Sequence, residues 1–418
     1  MKPIFSALGQ KACLLAPTVL SPRRPREITM TPFRSHIPAL LFLAGIFFLN
    51  FLSRIILAPL LPAIEGDLQI GHRGAGSLFL FISLGYCVGL LGSGYVSSRF
   101  THRRTIIASS MAVGVALLWI SLSPTMAGIR WGLILLGLAA GLYLPSGIAT
   151  VTSIVVSSRD WGKAIAIHEL APNLSIIAAP LIAEGLLLWL PWRGVIALIG
   201  AVAIVAGTAF IRFGKGGYAR GETPNPQTLR LLFALPAFWV MMALFSLAIG
   251  ASLGVYTMLS LYLVAERGFE RSAANQLVSV SRFAGPVMLF VAGWMADKVG
   301  PKKALGGILL ATGMATALLG MVRGAWIVPV MFLQPMLALC FFPAGFAALA
   351  GIGPPQSRNV AVSFSIAIAF LVGGGAIPAV IGLMGEEGSF ALGFVLVGVL
   401  LVGGVVILRY LRLYEETQ

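Results

Sequence analysis

The stretch GWMADKVGPKK, Gly293 to Lys303, decides the fold because it has a counterpart earlier in the chain. GYVSSRFTHRR, Gly94 to Arg104, repeats its order of glycine, apolar and polar residues, then a basic cluster, and the two leading glycines stand 199 residues apart. Arg159 and Arg358 repeat the same separation. Two copies of one unit are the simplest account.

Apolar runs lie on both sides of each stretch. Of the 418 residues, 58% are hydrophobic and 10% charged, with a mean hydropathy of +0.95. A soluble domain would carry about 25% charged residues. Twelve runs are long enough to cross a hydrocarbon core of about 30 Å: 37–62, 75–97, 105–123, 128–150, 164–189, 194–211, 236–264, 275–296, 304–322, 326–350, 359–383 and 390–408. RFGKGGYARGETPNPQTLR, Arg212 to Arg230, combines glycine, proline and charge at mid-chain and reads as a linker. The expected fold is an all-α membrane protein with twelve transmembrane helices in two six-helix pseudo-repeats. The expected division is a tail over 1–36, bundles over 37–211 and 236–408, a linker over 212–235 and a tail over 409–418.

The net charge of +15 would point to nucleic acid in a soluble protein. Here topology accounts for it. With both termini inside, the inner segments hold 21 Lys and Arg and the outer loops 6, with Arg54 and Arg282 left inside runs. This bias predicts cytoplasmic termini in a bacterial inner membrane, with lipid rather than nucleic acid as the surroundings. The first 29 residues, with ACLLAPTVL broken by Pro17, read as a disordered cytoplasmic tail, and Met30 is an equally good start. Cys13, Cys87 and Cys340 are too far apart for a disulfide framework or metal cluster, and the expected unit is a monomer without cofactor or metal.

GWMADKVGPKK resembles the loop motif of the major facilitator superfamily, found between helices 2 and 3 and again between 8 and 9. Its elements here are Gly293, Asp297, Lys298, Gly300, Lys302 and Lys303; the first copy has Gly94, Arg99 and Arg103, but Ser98 stands for the aspartate and Thr101 for the glycine. The resemblance implies the major facilitator fold and alternating access by rocking of two halves. It also implies that Asp297 meets the exposed N–H groups at the start of helix 5, and that Ser98 caps helix 11. NFLSR, Asn50 to Arg54, is similar to the first helix of the anion:cation symporter branch, where the arginine contacts an anionic substrate; Ser53 stands where that branch often has an acid. Arg282 is similar in placement to an arginine of monocarboxylate carriers.

A charge at the bilayer centre costs about 2.5–3.5 kcal/mol even on insertion scales, so it tends to face a cavity. In the family, runs 1, 2, 4, 5, 7, 8, 10 and 11 line that cavity, and they carry Arg54, His168, Glu169 and Arg282. At a rise of about 1.5 Å per residue, Arg54 lies about 25 Å and Arg282 about 22 Å from the cytoplasmic helix ends. Such a pair can hold one carboxylate or phosphate by forked hydrogen bonds. Alternatively, each arginine serves structure, against a helix end or carbonyls. Asn50, one turn before Arg54, is placed to orient the guanidinium or the substrate.

AIAIHELAPN, Ala164 to Asn173, sets polar residues and a proline inside a run. HELAP lacks the second histidine of a zinc protease, and no P-loop or nucleophile motif occurs, so no enzyme is expected. Glu169 and Asn173 share a helical face, and Pro172 frees the His168 carbonyl. A buried Glu169 has the desolvation that a proton-coupling carboxylate needs, with His168 passing the proton or pairing nearby. The competing reading is a structural ion pair. Tyr86, Tyr143, Tyr256 and Gln334 are further substrate candidates, whereas Glu184 reads as a rim pair and Arg193 as a residue reaching the outer surface.

Two functions follow. The first is a secondary transporter that takes up a small organic anion with protons; the alternative is a proton-driven exporter of drugs or metabolites. APLIAEG, Ala179 to Gly185, lacks the GPxxGG-like pattern of proton antiporters, which weakens the alternative.

Overall fold

The computed structural model describes residues 33–155, 157, 160–223, 226–352 and 358–411. Residues 1–32 of the tail expected over 1–36, the repeated Arg159 and the segment beyond 411 lie outside the described residues, and Phe33–His36 are helical and run into the first span. Eleven continuous helices among the described residues are long and apolar enough to cross a membrane. The N-terminal six are α1 (Phe33–Leu68), α2 (His72–Arg99), α3 (His102–Leu122), α4 (Met126–Ile154), α5 (Trp161–Leu187) and α6 (Trp192–Phe213). A short helix, Pro226–Phe233, precedes α7 (Pro236–Ala265).

The eighth run corrects the expectation of a continuous helix. α8 comes in two pieces, Arg271–Val280 and Gly285–Val299. Between them the N–H groups of Arg282, Phe283 and Gly285 bond to the carbonyls of Ser279, Val280 and Arg282, three residues back rather than four. Pro286 explains the change: it has no N–H to offer the Arg282 carbonyl, so the chain tightens and Gly285 supplies the bond at 3.2 Å. Arg282 therefore sits at a helix break. The bundle is completed by α9 (Pro301–Met321), α10 (Gly324–Leu349), α11 (Val360–Glu386) and α12 (Phe390–Tyr410).

The two loop motifs share a task and differ in backbone. Arg103 donates to the carbonyls of Phe210, Ile211 and Gly214 at the end of α6, and Lys302 donates to those of Arg409 and Leu411 at the end of α12. Cations at helix C-termini satisfy orphan carbonyls and complement the macrodipole. Gly300 turns the chain with φ +84°, which only glycine adopts without strain. Its counterpart Thr101 stays extended, and its hydroxyl accepts from the Arg104 N–H to cap α3. The lost glycine of the first copy is thus exchanged for an N-cap. The linker lies against this loop through Arg103 N–H to Gly217 O at 2.7 Å and Gly221 N–H to Ser97 O at 3.0 Å.

Glycine also sets how closely the cavity helices approach. A side chain at Gly85 or Gly89 would strike backbone of α4, and one at Gly137 or Gly141 would strike backbone of α2. Small residues four apart on both partners allow this contact. In α7 and α11 the backbone widens into π-helical turns at Gly250–Gly254 and Phe370–Ala376, which meet through Gly250, Gly254 and Gly373. Such turns often mark functional sites.

Arg103 and Lys302 define a basic face of the bundle. Contacts between the halves gather toward the opposite face. There Glu184 of α5 receives bonds from Arg271 Nε at 3.1 Å and Asn275 Nδ2 at 2.6 Å of α8. Asn275 also donates to the Pro59 carbonyl of α1, and Gly76 of α2 packs on backbone of α11. Pro180 leaves the Ile176 carbonyl without its helical N–H, and the hydroxyl of Tyr256, from the other half, donates to it at 3.2 Å. The rim pair expected at Glu184 is therefore a bond between halves.

A prediction follows from that bond. Glu184→Gln keeps the shape and removes the charge, and hydrogen bonds to charged groups contribute about 1.5–3 kcal/mol. Closure on this face should weaken, so that thiol labelling from the basic face of a cysteine placed at Asn173 falls severalfold. Unchanged labelling would exclude a latch at Glu184.

Candidate functional site

A cavity of about 310 Å³ lies between the halves, and its walls come from α1, α2, α4, α5, α7, α8, α10 and α11. Arg54 and Arg282 both line it, one from each half. Each is buried, with exposures of 6% and 4%. The Arg54 guanidinium lies over the Tyr86 ring at 4.0 Å, and that of Arg282 over the Tyr256 ring at 5.0 Å. Stacking on an aromatic face holds a guanidinium without using its N–H donors. Some of those donors are unspent: Arg54 Nε and Arg282 Nε and Nη2 are buried without a hydrogen-bond partner among the described residues. Among the described residues Arg282 Nη1 reaches the Ser252 carbonyl, at 3.4 Å. Buried donors left unpaired are costly and call for an acceptor.

Glu169 and Asn173 line the same cavity, as their spacing predicts. The Glu169 side chain, however, is 44% exposed, so the expected burial is corrected. Glu169 lies on the cavity wall, where the space between the halves leaves it open to water. Its neighbour His168 is the buried one, 1% exposed. The His168 ring stacks on Phe47 at 4.5 Å, places Nδ1 3.1 Å from Glu169 Oε1 and places Nε2 3.1 Å from the Tyr143 hydroxyl.

Glu169 and His168 thus form a hydrogen-bonded dyad, and the Tyr143 hydroxyl behind it donates to the Leu43 carbonyl at 2.9 Å, since a carbonyl only accepts. The contacts run from the cavity surface at Glu169 through the imidazole to the backbone of α1.

Four expected substrate contacts are elsewhere: Tyr256 lies under Arg282 and donates its hydroxyl to the Ile176 carbonyl. Asn50 donates to the Ala140 carbonyl at 3.3 Å and faces Ser109, joining α1 to α3 and α4. The four-residue step from Arg54 carries it round toward those helices. Tyr143 stands behind His168 and does not line the cavity. Gln334 donates to the Ala251 carbonyl and the Thr316 hydroxyl, where the π-helical turn of α7 needs a donor. Tyr86 does line the cavity, beneath Arg54. The phenylalanine walls, Phe47, Phe51, Phe342, Phe346 and Phe370, carried no signal in a chain of 25 phenylalanines.

Comparison with known proteins decides the family. The model of the Major Facilitator Superfamily matches residues 43–333 and 262–418. The chain belongs to the Major Facilitator Superfamily. Its members are transporters, not enzymes, and the chain is a multi-pass membrane protein of the secondary-transporter class. The hexuronate transporter of Bacillus subtilis (strain 168) is 24% identical over 294 residues, which cover 65% of this chain and 66%, just under two thirds, of that protein. This match agrees with the resemblance to the anion:cation symporter branch. Among solved structures, a bacterial homologue of the human lysosomal transporter Spinster, inward-facing and occupied, superposes with a TM-score of 0.72 at 16% identity, covering 91% of this chain and 95% of that one. A D-xylose–proton symporter gives 0.72 at 15% identity, over 93% and 99%. These likenesses show the shared fold.

Within the superfamily motif, the aspartate and its first-copy substitute do not cap as expected. Asp297 is exposed and has no hydrogen bond or ion pair among the described residues. Ser98 donates to the Tyr95 carbonyl of its own helix instead of capping α11. Halves that meet on the opposite face separate the motif from its capping targets on the basic face. Around it, Arg99, Tyr95 and Ser98 share a surface hollow with Arg220, and Lys298 rests on the Trp294 ring at 4.1 Å. Arg193 is also corrected: it donates to the Ser121 and Ser123 carbonyls and lies 3.6 Å from Asp67 rather than reaching free to the surface.

Proposed function

We propose that this transporter moves a small organic anion bearing a carboxylate, by alternating access of its two six-helix halves, in uptake coupled to protons. One observation carries the reading: two buried arginines from opposite halves line one cavity, and neither has a carboxylate within salt-bridge distance among the described residues. An anion held by both ties the halves together, which is how binding energy favours closure around the substrate. Glu169 and His168 are proposed as the coupling site. With the dyad proton lost, the Glu169 carboxylate competes with the anion for the arginines; with it bound, the competition ends. The excess of Lys and Arg on the basic face supports a cytoplasmic placement of that face in the inner membrane. The curated relative carries a hexuronate by its name, which supports a carboxylate.

A thermal-shift screen of organic carboxylates, phosphate and uncharged analogues on the purified protein tests this. A ligand that binds the folded state raises its melting temperature by mass action. At least one carboxylate should do so, and its uncharged analogue should not. Shifts confined to uncharged or cationic compounds would reject the anion reading in favour of the exporter alternative.

A further inference from the structure

We propose that the anion carried here has an apolar, aromatic body rather than a polyhydroxylated one; this rests on the carboxylate reading above. Five phenylalanines face the cavity: Phe47 and Phe51 from α1, Phe342 and Phe346 from α10, and Phe370 from α11. They come from both halves. Six lining residues are polar, and part of their hydrogen-bonding capacity is spent within the protein. Asn173 Nδ2 donates to the Glu169 carbonyl at 3.1 Å. The Ser252 hydroxyl donates within its own helix to Ile249, at 3.4 Å. Glu169 is engaged with His168, and the Tyr86 ring face is covered by Arg54. Among the described lining residues the two arginines are the concentrated set of donors, and they suit one carboxylate end.

A sugar acid brings several hydroxyls besides its carboxylate. In this cavity most of them would lose water and find ring carbons, and sites lacking partners for a substrate hydroxyl discriminate against it. An aryl carboxylate fits the same surface without that loss. Its ring meets the phenylalanines edge-on or offset, as aromatic pairs prefer, while its carboxylate meets the arginines. The volume, about 310 Å³, is at the lower end for pockets that hold small organic ligands. The specificity is thus divided: charge is read by Arg54 and Arg282, and body by α1, α10 and α11.

The test uses the full chain in lipid nanodiscs with three probes: phenylacetate, glucuronate and phenylacetamide. Phenylacetate is expected to bind at least tenfold more tightly than glucuronate, and phenylacetamide to bind far more weakly than phenylacetate. Phe346→Gln, at the exposed edge of the wall, should lower the phenylacetate-to-glucuronate preference severalfold while leaving the melting temperature near that of the parent. Equal or tighter binding of glucuronate overturns the aromatic-body proposal and leaves the anion reading standing. If phenylacetamide matches phenylacetate, and neither responds to Arg282→Met, the anion reading falls with it. Absence of phenylacetate binding at millimolar concentration also overturns the proposal, and a preference unchanged in Phe346→Gln removes its assignment to this wall.

Discussion

Arg282→Met is expected to abolish carboxylate binding and, at the same time, to leave the ligand-free protein as stable as the parent or more so. The two effects have one cause. Arg282 is 4% exposed, and among the described residues its Nε and Nη2 have no partner and no carboxylate lies within salt-bridge distance of it. Replacing an uncompensated buried charge by an apolar side chain of similar length removes a desolvation cost. Binding moves the other way: losing one side of a buried, hydrogen-bonded charge pair costs about 2–5 kcal/mol, or roughly 30-fold to several-thousand-fold in affinity. Arg54→Met should behave alike, with some loss of packing against Tyr86 and Phe51. Lysine variants separate charge from shape, since an ammonium cannot make the planar fork, and they should bind at least tenfold more weakly. Ligand-induced melting shifts measured beside the ligand-free melting temperature check both signs. A structural role predicts the opposite pattern, a large drop in stability with binding retained in the surviving fraction.

The arginines were legible in the sequence because a charge in an apolar run has few reasons to be there. Placing them in one cavity needed the family resemblance, which supplied the eight lining helices. Glu169 and Asn173 were legible from their spacing, although the burial of Glu169 was not: exposure depends on how far the halves part on one face. Asn50, Tyr143 and Gln334 misled for a different reason. A polar side chain in a membrane helix is equally useful to a neighbouring carbonyl, and the carbonyls in question, at Ala140, Leu43 and Ala251, are remote in sequence. Local periodicity carries no information about them. The break at Arg282 was visible as Pro286 four residues on, but apolar length outweighed it. Asp297 and Ser98 depend on the conformation, because a cap between halves exists only when their ends on the basic face meet. Tyr256 has a partner the sequence also implied, through Pro180: a proline exposes the carbonyl four residues back, and here the opposite half supplies the donor.

Glu169→Gln is expected to separate two modes of transport. An amide mimics the protonated carboxyl in charge and size, so the anion should still exchange between equal pools across a liposome membrane, while accumulation driven by a pH gradient should be lost. The proposed coupling gives the reason. In the parent, loss of the proton from Glu169 and His168 puts a negative charge in the cavity of Arg54 and Arg282, which favours release of the anion. The amide never acquires that charge, so substrate and proton no longer constrain each other. A purely structural pair predicts a joint decline of exchange, uptake and stability, and for a buried pair that decline would be about 3–5 kcal/mol. The observed exposure of 44% argues against a loss of that size, because exposed pairs contribute only about 0–1 kcal/mol. Melting temperature should therefore change little in the variant. Uphill uptake that survives in Glu169→Gln would eliminate the coupling role, whereas retained exchange beside lost accumulation, at an unchanged melting temperature, would assign the coupled proton to the Glu169–His168 pair.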